Sequence, residues 1–157
     1  MKKCAFYKTP IGKIGIAENG SAITDLIFEN HEPPVDWDVE ETPLLKKAAR
    51  QLSAYFAGEL RNFDLPLAPQ GTTFQRAVWN ALLEIPYGAT RSYGQVAAAV
   101  GNSKAGRAIG MANHSNPIAI IIPCHRVIGS NGKLVGYGGG LEMKEFLLEM
   151  ERNYQAS

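Results

Sequence analysis

The chain has 157 residues, 45% hydrophobic and 20% charged, with a net charge of +1. That is ordinary globular composition, long enough to bury a core without disulfide or metal staples. No apolar run approaches membrane-spanning length, and no apolar segment follows the lysines of MKKCAFYKTP, so neither a membrane span nor a signal peptide is expected. Two cysteines lie 120 positions apart, Cys4 and Cys124, and only Cys4 and His31 offer ligands in the N-terminal half. Neither a disulfide framework nor a tetrahedral zinc site follows from them. The expectation is a cytoplasmic protein of a reducing compartment, with no metal and no cofactor.

Residues 2–29 alternate apolar and polar positions around Gly and Asn turns. CAFYKT, KIGIAE and AITDLIF read as strands of a small antiparallel sheet, with Thr9–Gly12 and Asn19-Gly20 as turns. The acidic stretch 32–41, with Pro33-Pro34, reads as a loop. Pro43 opens a helix to about Ala57, its Leu45, Ala48, Ala49, Leu52, Tyr55 and Phe56 at helical spacing, and Gly58 ends it. The stretch 62–71, with Pro66 and Pro69, reads as a linker, dividing the chain into domains 1–70 and 71–157.

The second domain reads as mostly helical. Thr72-x-x-Gln75 and Ser92-x-x-Gln95 fit capping boxes, opening helices that run to about Ile85 and Val100. Ser103 is placed to cap a third helix, about Lys104 to Ala112. Short helix, glycine-containing turn and second helix is the pattern of a helix-turn-helix, and equally of an ordinary αα-corner. The third helix, KAGRAIGMA, carries small residues around one Arg. It cannot read a major groove with long polar side chains; it suits close approach to a minor groove, or plain helix packing. From Ile85 to Leu141 there is no acid against five cations, Arg91, Lys104, Arg107, Arg126 and Lys133. A phosphate backbone would favour such a zone; a solvated basic face would look the same.

Ile118–Ile122 is a short β-branched run that reads as a buried strand ending at Pro123-Cys124-His125-Arg126. A Cys beside a His and an Arg sits in an electropositive setting that lowers a thiol pKa; a buried structural Cys has the same signature. Strand neighbours point apart, so a direct Cys124–His125 hydrogen bond is not expected, and a bridging water or another base is needed. Asn131-Gly132 reads as a type I′ hairpin, a wing after the helix pair. The glycine-rich run 136–140 leads to a last helix, Leu141 to about Asn153, with Met143, Phe146, Leu147 and Met150 as its core stripe.

The run Asn116–Gly129, with its PCHRV core, resembles the signature of O6-alkylguanine-DNA alkyltransferases. Thr90–Ala97, Gly106–Gly110, Gly136–Leu141 and Lys144–Leu148 also look like that family, in order. The match is strong over 72–150 and compatible over the first domain. The resemblance implies an α+β (mixed α/β) protein: a ribonuclease-H-like N-terminal sheet with a helix, then a helical domain with a winged helix-turn-helix. It implies a DNA-repair protein that flips an alkylated guanine out of duplex DNA and transfers the alkyl group once, irreversibly, to Cys124. His125 would take the thiol proton through a water, oriented by Glu145, and Asn116 would brace the turn before the cysteine. Tyr93, the backbone of Cys124 and Val127, and the loop at Tyr137 and Gly138 would contact the base. Some relatives have Ser where Gly138 stands, so a hydroxyl contact to O6 is missing here. Arg107 would fill the vacated stack, with Lys104, Ala105, Ala108, Gly110 and Arg126 as further DNA contacts. The expected partner is double-stranded DNA containing O6-alkylguanine, with O4-alkylthymine a further candidate substrate, bound by a monomer without a membrane. A winged-helix transcription factor is disfavoured by the polar-poor third helix. A lesion-binding relative lacking the acceptor is disfavoured by Cys124. A cysteine hydrolase lacks a separate His and Asn constellation.

Overall fold

The computed structural model describes residues 2–29 and 31–155. The chain divides into two compact units, Met1–Gln70 and Gly71–Ser157. In the first unit the three strands read from alternation are β1 (Lys3–Thr9), β2 (Gly12–Glu18) and β3 (Ile23–Phe28). They form an antiparallel meander, with register from Thr9↔Gly12 to Lys3↔Glu18 across β1 and β2. Gly12 takes φ 102°, the left-handed backbone that leaves the Pro10-Ile11 turn. The apolar face, with Ile14, Ile16, Ile23 and Leu26 buried, packs with α1 (Pro43–Phe56), which buries Leu45, Ala48, Leu52 and Tyr55. Thr42 caps α1 by accepting from Leu45 N at 3.2 Å. Gly58, at φ 77°, ends it, and Glu59 N returns to Ala54 O at 2.9 Å.

Two expectations for this unit change. The acidic loop contains a two-residue strand, β4 (Asp38–Val39), parallel to β1 at the sheet edge. It is too short to leave a periodic signal. The linker stretch is stitched to the other edge: Ile23 N donates to Pro66 O and Ala68 N to Ile23 O, both at 2.8 Å.

In the second unit, α2 (Thr73–Leu83), β5 (Arg91–Ser92), α3 (Tyr93–Ala99), α4 (Gly106–His114), β6 (Val127–Ile128) and α5 (Leu141–Gln155) follow in order. Both capping boxes are formed, Thr72 with Gln75 and Ser92 with Gln95. Helices α2, α3 and α4 pack on one another through Val78, Trp79, Leu82, Val96, Ala97, Ile109 and Ala112. The Trp79 indole N–H donates to Ala112 O at 2.8 Å. The α3–turn–α4 pair is the helix-turn-helix, but α4 starts two residues later than expected. Ser103 does not cap it; Ala105 holds the cap position without a side-chain bond.

The run 118–122 is buried as expected, yet it is not a strand. Ile121 N donates to Ala119 O at 2.9 Å across Ile120, which sits at φ 72°. That is the rarer, strained hand of γ-turn, and for a β-branched residue it costs about 1–3 kcal/mol. Burial of Ile118, Ile120 and Ile122, each at most 1% exposed, holds it in place. An apolar run this short cannot separate a strand from a buried turn. The wing turn also differs. Gly132 N donates to Gly129 O and Gly129 N to Lys133 O, both at 2.9 Å. Only Gly132 of this turn, at φ 82°, is left-handed, so a three-residue loop replaces the type I′ turn.

Candidate active site around Cys124

The strained turn delivers the chain to Pro123, whose φ −80° and ψ 65° make a second tight turn, Cys124 N donating to Ile122 O at 2.8 Å. Cys124 to Arg126 then form one 3-10 turn before β6. Two asparagines from the end of α4 grip this segment. Asn116 donates to Ile122 O at 2.8 Å and accepts from Ile118 N at 3.0 Å, clamping both ends of the turn. Asn113, buried, donates to Cys124 O at 3.3 Å. Asn113 lies just beyond the end expected for the third helix, about Ala112, and no apolar pattern marks it.

The thiol is buried, 5% exposed for the residue. Burial pushes it up to about 11, against the smaller downward pull of the Asn116 side chain and the Lys144 ammonium. The net lowering expected from neighbouring cations is not realised: burial outweighs Lys144, and Arg126 is engaged by other partners. Its guanidinium forks onto Glu151 at 2.8 and 3.0 Å, donates to Ile85 O at 2.9 Å, and lies over the Tyr87 ring. Arg126 is therefore a buried structural cation, and its expected place among the DNA contacts is corrected.

The partner of His125 is likewise corrected. Glu145 is exposed, and the carboxylate at His125 Nε2 is Glu151, at 2.7 Å and fully buried. Glu151 also accepts from Gly88 N at 3.3 Å. Donors from His125 and Arg126 outweigh its burial and hold the carboxyl down at about 2. An ionised carboxylate on Nε2 fixes the Nε2–H tautomer and leaves Nδ1, which has no hydrogen-bond partner, as a bare acceptor. Burial lowers the His125 pKa against the opposing pull of Glu151, so the ring is neutral and able to accept a proton. The face that α5 buries differs in part from its apolar stripe. Its buried residues include Lys144, Leu147, Leu148 and Glu151, whereas the predicted Phe146 is 41% exposed. A stripe at i, i+3, i+4, i+7 with charged ends is invisible to a count of apolar residues alone.

The parallel pairing of β5 with β6, Arg91↔Val127 and Ser92↔Ile128, sets Tyr93 at the first turn of α3 close to the cysteine turn. Burial raises the Tyr93 phenol, and the Cys124 charge adds to it. The Tyr93 hydroxyl donates to Val135 O at 3.0 Å. In the same loop the Tyr137 ring stands edge-on to His125, centroids 6.5 Å apart, while Gly138 is exposed and Val127 fully buried. Lys104, Arg107 and Ala108 are exposed on or just before α4, and Ala105 and Gly110 are half-buried. Among the described residues no three His, Cys, Asp or Glu side chains are grouped to hold a metal.

Comparison with known proteins accounts for both units. Residues 2–69 match the ribonuclease-like domain of 6-O-methylguanine DNA methyltransferase, and residues 73–153 match its DNA-binding domain. The methylated-DNA–protein-cysteine methyltransferase of Methanosarcina acetivorans is 55% identical over 94% of this chain and 96% of that protein. The Mycobacterium leprae protein of the same name is 51% identical over 98% and 94%. The crystal structure of Mycobacterium tuberculosis OGT in complex with DNA superposes with a TM-score of 0.92 at 49% identity, covering 97% of this chain and 94% of that one. With two domain matches spanning both units and half of all positions shared with named relatives, the chain belongs to the 6-O-methylguanine DNA methyltransferase family.

Proposed function

We propose that the protein repairs DNA by moving the alkyl group of O6-alkylguanine onto Cys124, once per molecule. The carrying observation is a buried thiol followed in the chain by a neutral imidazole whose Nε2 is fixed by a buried, ionised Glu151 and whose Nδ1 is bare. A thiol held near 11 supplies almost no thiolate at neutral pH, so its proton must leave as the reaction proceeds. His125 Nδ1 takes it, through a water. Glu151 stabilises the imidazolium that results. Cys124 Sγ attacks the alkyl carbon; the carbon–O6 bond breaks with its electron pair moving to the guanine, which takes a proton from solvent and stays in the strand as an ordinary base, while the imidazolium returns its proton to solvent. Tyr93 donates a hydrogen bond to the departing guanine and eases that step. Asn116 keeps the sulfur on line by clamping the turn before it. The thioether is stable, so the protein is consumed.

The target atom is inaccessible in a stacked duplex, so the base must be flipped, at a cost of a few kcal/mol. Arg107, exposed on α4 beside Ala108, enters the minor groove and fills the gap. Lys104, Ala105, Ala108 and Gly110 form the smooth surface around it. One chain carries the whole site, so a monomer suffices, and two free cysteines suit the cytoplasm. Intact mass tests the reading after incubation with a duplex containing O6-methylguanine. Wild type gains one methyl group and Cys124→Ser none, because a hydroxyl is a far weaker nucleophile near neutral pH. A wild-type mass that does not change, or methyl transfer that persists in Cys124→Ser, refutes it.

A further inference from the structure

The loop between β6 and α5 is held from two sides at one atom. Val135 O accepts from the Tyr93 hydroxyl of α3 at 3.0 Å and from Lys144 Nζ of α5 at 2.9 Å. Lys144 also donates to Gly136 O at 3.3 Å. A carbonyl oxygen has two lone pairs, so both of Val135's are used. Lys144 is 0% exposed, a costly position for an ammonium that needs a reason. Burial brings it down to about 8, so it keeps its proton at neutral pH. The loop it holds turns at two left-handed glycines, Gly136 at φ 52° and Gly140 at φ 98°, and carries Tyr137 against His125.

This arrangement conflicts with the role given to Tyr93 unless its hydroxyl can change partners. To bond the flipped guanine, the hydroxyl must release Val135 O. We propose that Lys144 is a positioning residue that keeps the Val135 carbonyl satisfied when Tyr93 releases it, so that Tyr93 turns to the base without stranding the carbonyl or unlocking the loop that carries Tyr137 and Gly138. The inference rests on the alkyl-transfer reading above. It deepens that reading by assigning the buried lysine to the exchange.

A double-mutant cycle isolates the exchange from other effects of the lysine. In wild type, Tyr93 moves between two partners. In Tyr93→Phe, Val135 O has the same partners before and after binding, so loss of Lys144 changes both states equally. Single-turnover transfer is measured against concentration of an O6-methylguanine duplex for wild type, Lys144→Met, Tyr93→Phe and the double variant. Lys144→Met raises the half-saturating duplex concentration roughly three- to tenfold, the penalty of a half-covered carbonyl left without a donor. It moves the limiting rate less. On the Tyr93→Phe background the same substitution shifts half-saturation less than about twofold. Lys144→Gln, which keeps an N–H donor, recovers most of the loss, and it completes the cycle if Lys144→Met does not fold. Equal penalties on both backgrounds, as for a lysine that only supports the Cys124 thiolate or the fold, overturn the proposal. So does a Gln variant as impaired as Met. Wild-type protein that gains no methyl group overturns the functional reading and this inference with it; transfer with additive penalties overturns the inference alone.

Discussion

Replacing Glu151 by Gln separates the site described here from the one expected with Glu145. Glu151 receives His125 Nε2 at 2.7 Å, Arg126 at 2.8 and 3.0 Å, and Gly88 N at 3.3 Å, with its side chain fully buried. Its carboxyl is held at about 2 instead of the ordinary 4.5; at about 1.4 kcal/mol per tenfold in acidity, that gap corresponds to about 3 kcal/mol of stability. The same figure is reached from the other side, since breaking a buried pair and leaving Arg126 without its anion costs about 3–5 kcal/mol. Because the folded pKa is depressed, the contribution is complete above the unfolded value of 4.5 and disappears as pH falls through about 2. Urea denaturation at pH 7 should therefore show Glu151→Gln about 3 kcal/mol less stable than wild type, with the difference closing between pH 4.5 and 2. Transfer should slow roughly tenfold or more, because a neutral amide no longer stabilises the imidazolium. Glu145→Gln, on the exposed face of α5, should stay within about 0.5 kcal/mol and keep its rate. A stable, fully active Glu151→Gln protein beside a slowed Glu145→Gln protein would refute the assignment.

Arg107→Ala should slow transfer from a duplex far more than transfer to a free O6-alkylated guanine, since only the duplex reaction requires the flip; single-turnover rates on both substrates decide this, and equal losses return Arg107 to a phosphate contact. Asn116→Ala strips Ile118 N of its acceptor and takes one of two donors from Ile122 O within the strained turn. It should cost about 2 kcal/mol in urea denaturation and slow transfer as well, and a variant stable but unchanged in rate would remove the bracing role.

Local chemistry was legible wherever it repeats at a known period. β1, β2, β3 and α1 followed from alternation, helical spacing and the Pro43 and Gly58 signals, and α2 and α3 from two capping boxes that are both formed. What was not legible depends on tertiary partners. β4 is two residues paired to an edge that β1 offers, and the 66–68 segment is tied by its bonds to Ile23. The 118–122 turn has the composition of a strand, and the constraint that makes it a turn lies in Asn116 and in burial of the isoleucines.

At the site, Cys124, His125, Tyr93 and Asn116 were named because the motif places them in a single run or at a helix start. Glu151, Lys144 and Asn113 were missed for a common reason: each is a polar group on a buried face, and each is tolerated there only because of a partner distant in sequence. Glu151 is paid for by His125 and Arg126, Lys144 by two loop carbonyls, and Asn113 by the Cys124 carbonyl. A helix read for its apolar stripe turns these residues outward, whereas Glu145 rested on what the resemblance implies. Read with charges admitted at i and i+7, α5 offers Lys144 and Glu151 at the two ends of a Leu147-Leu148 stripe. The two faces of α5 then differ in kind. One apolar stripe packs a helix against anything; a stripe ended by opposite charges must meet a site that answers both. Here the negative end meets the His125–Arg126 turn and the positive end meets the loop over it, so the last helix brings together the two segments that the chemistry requires to act at once.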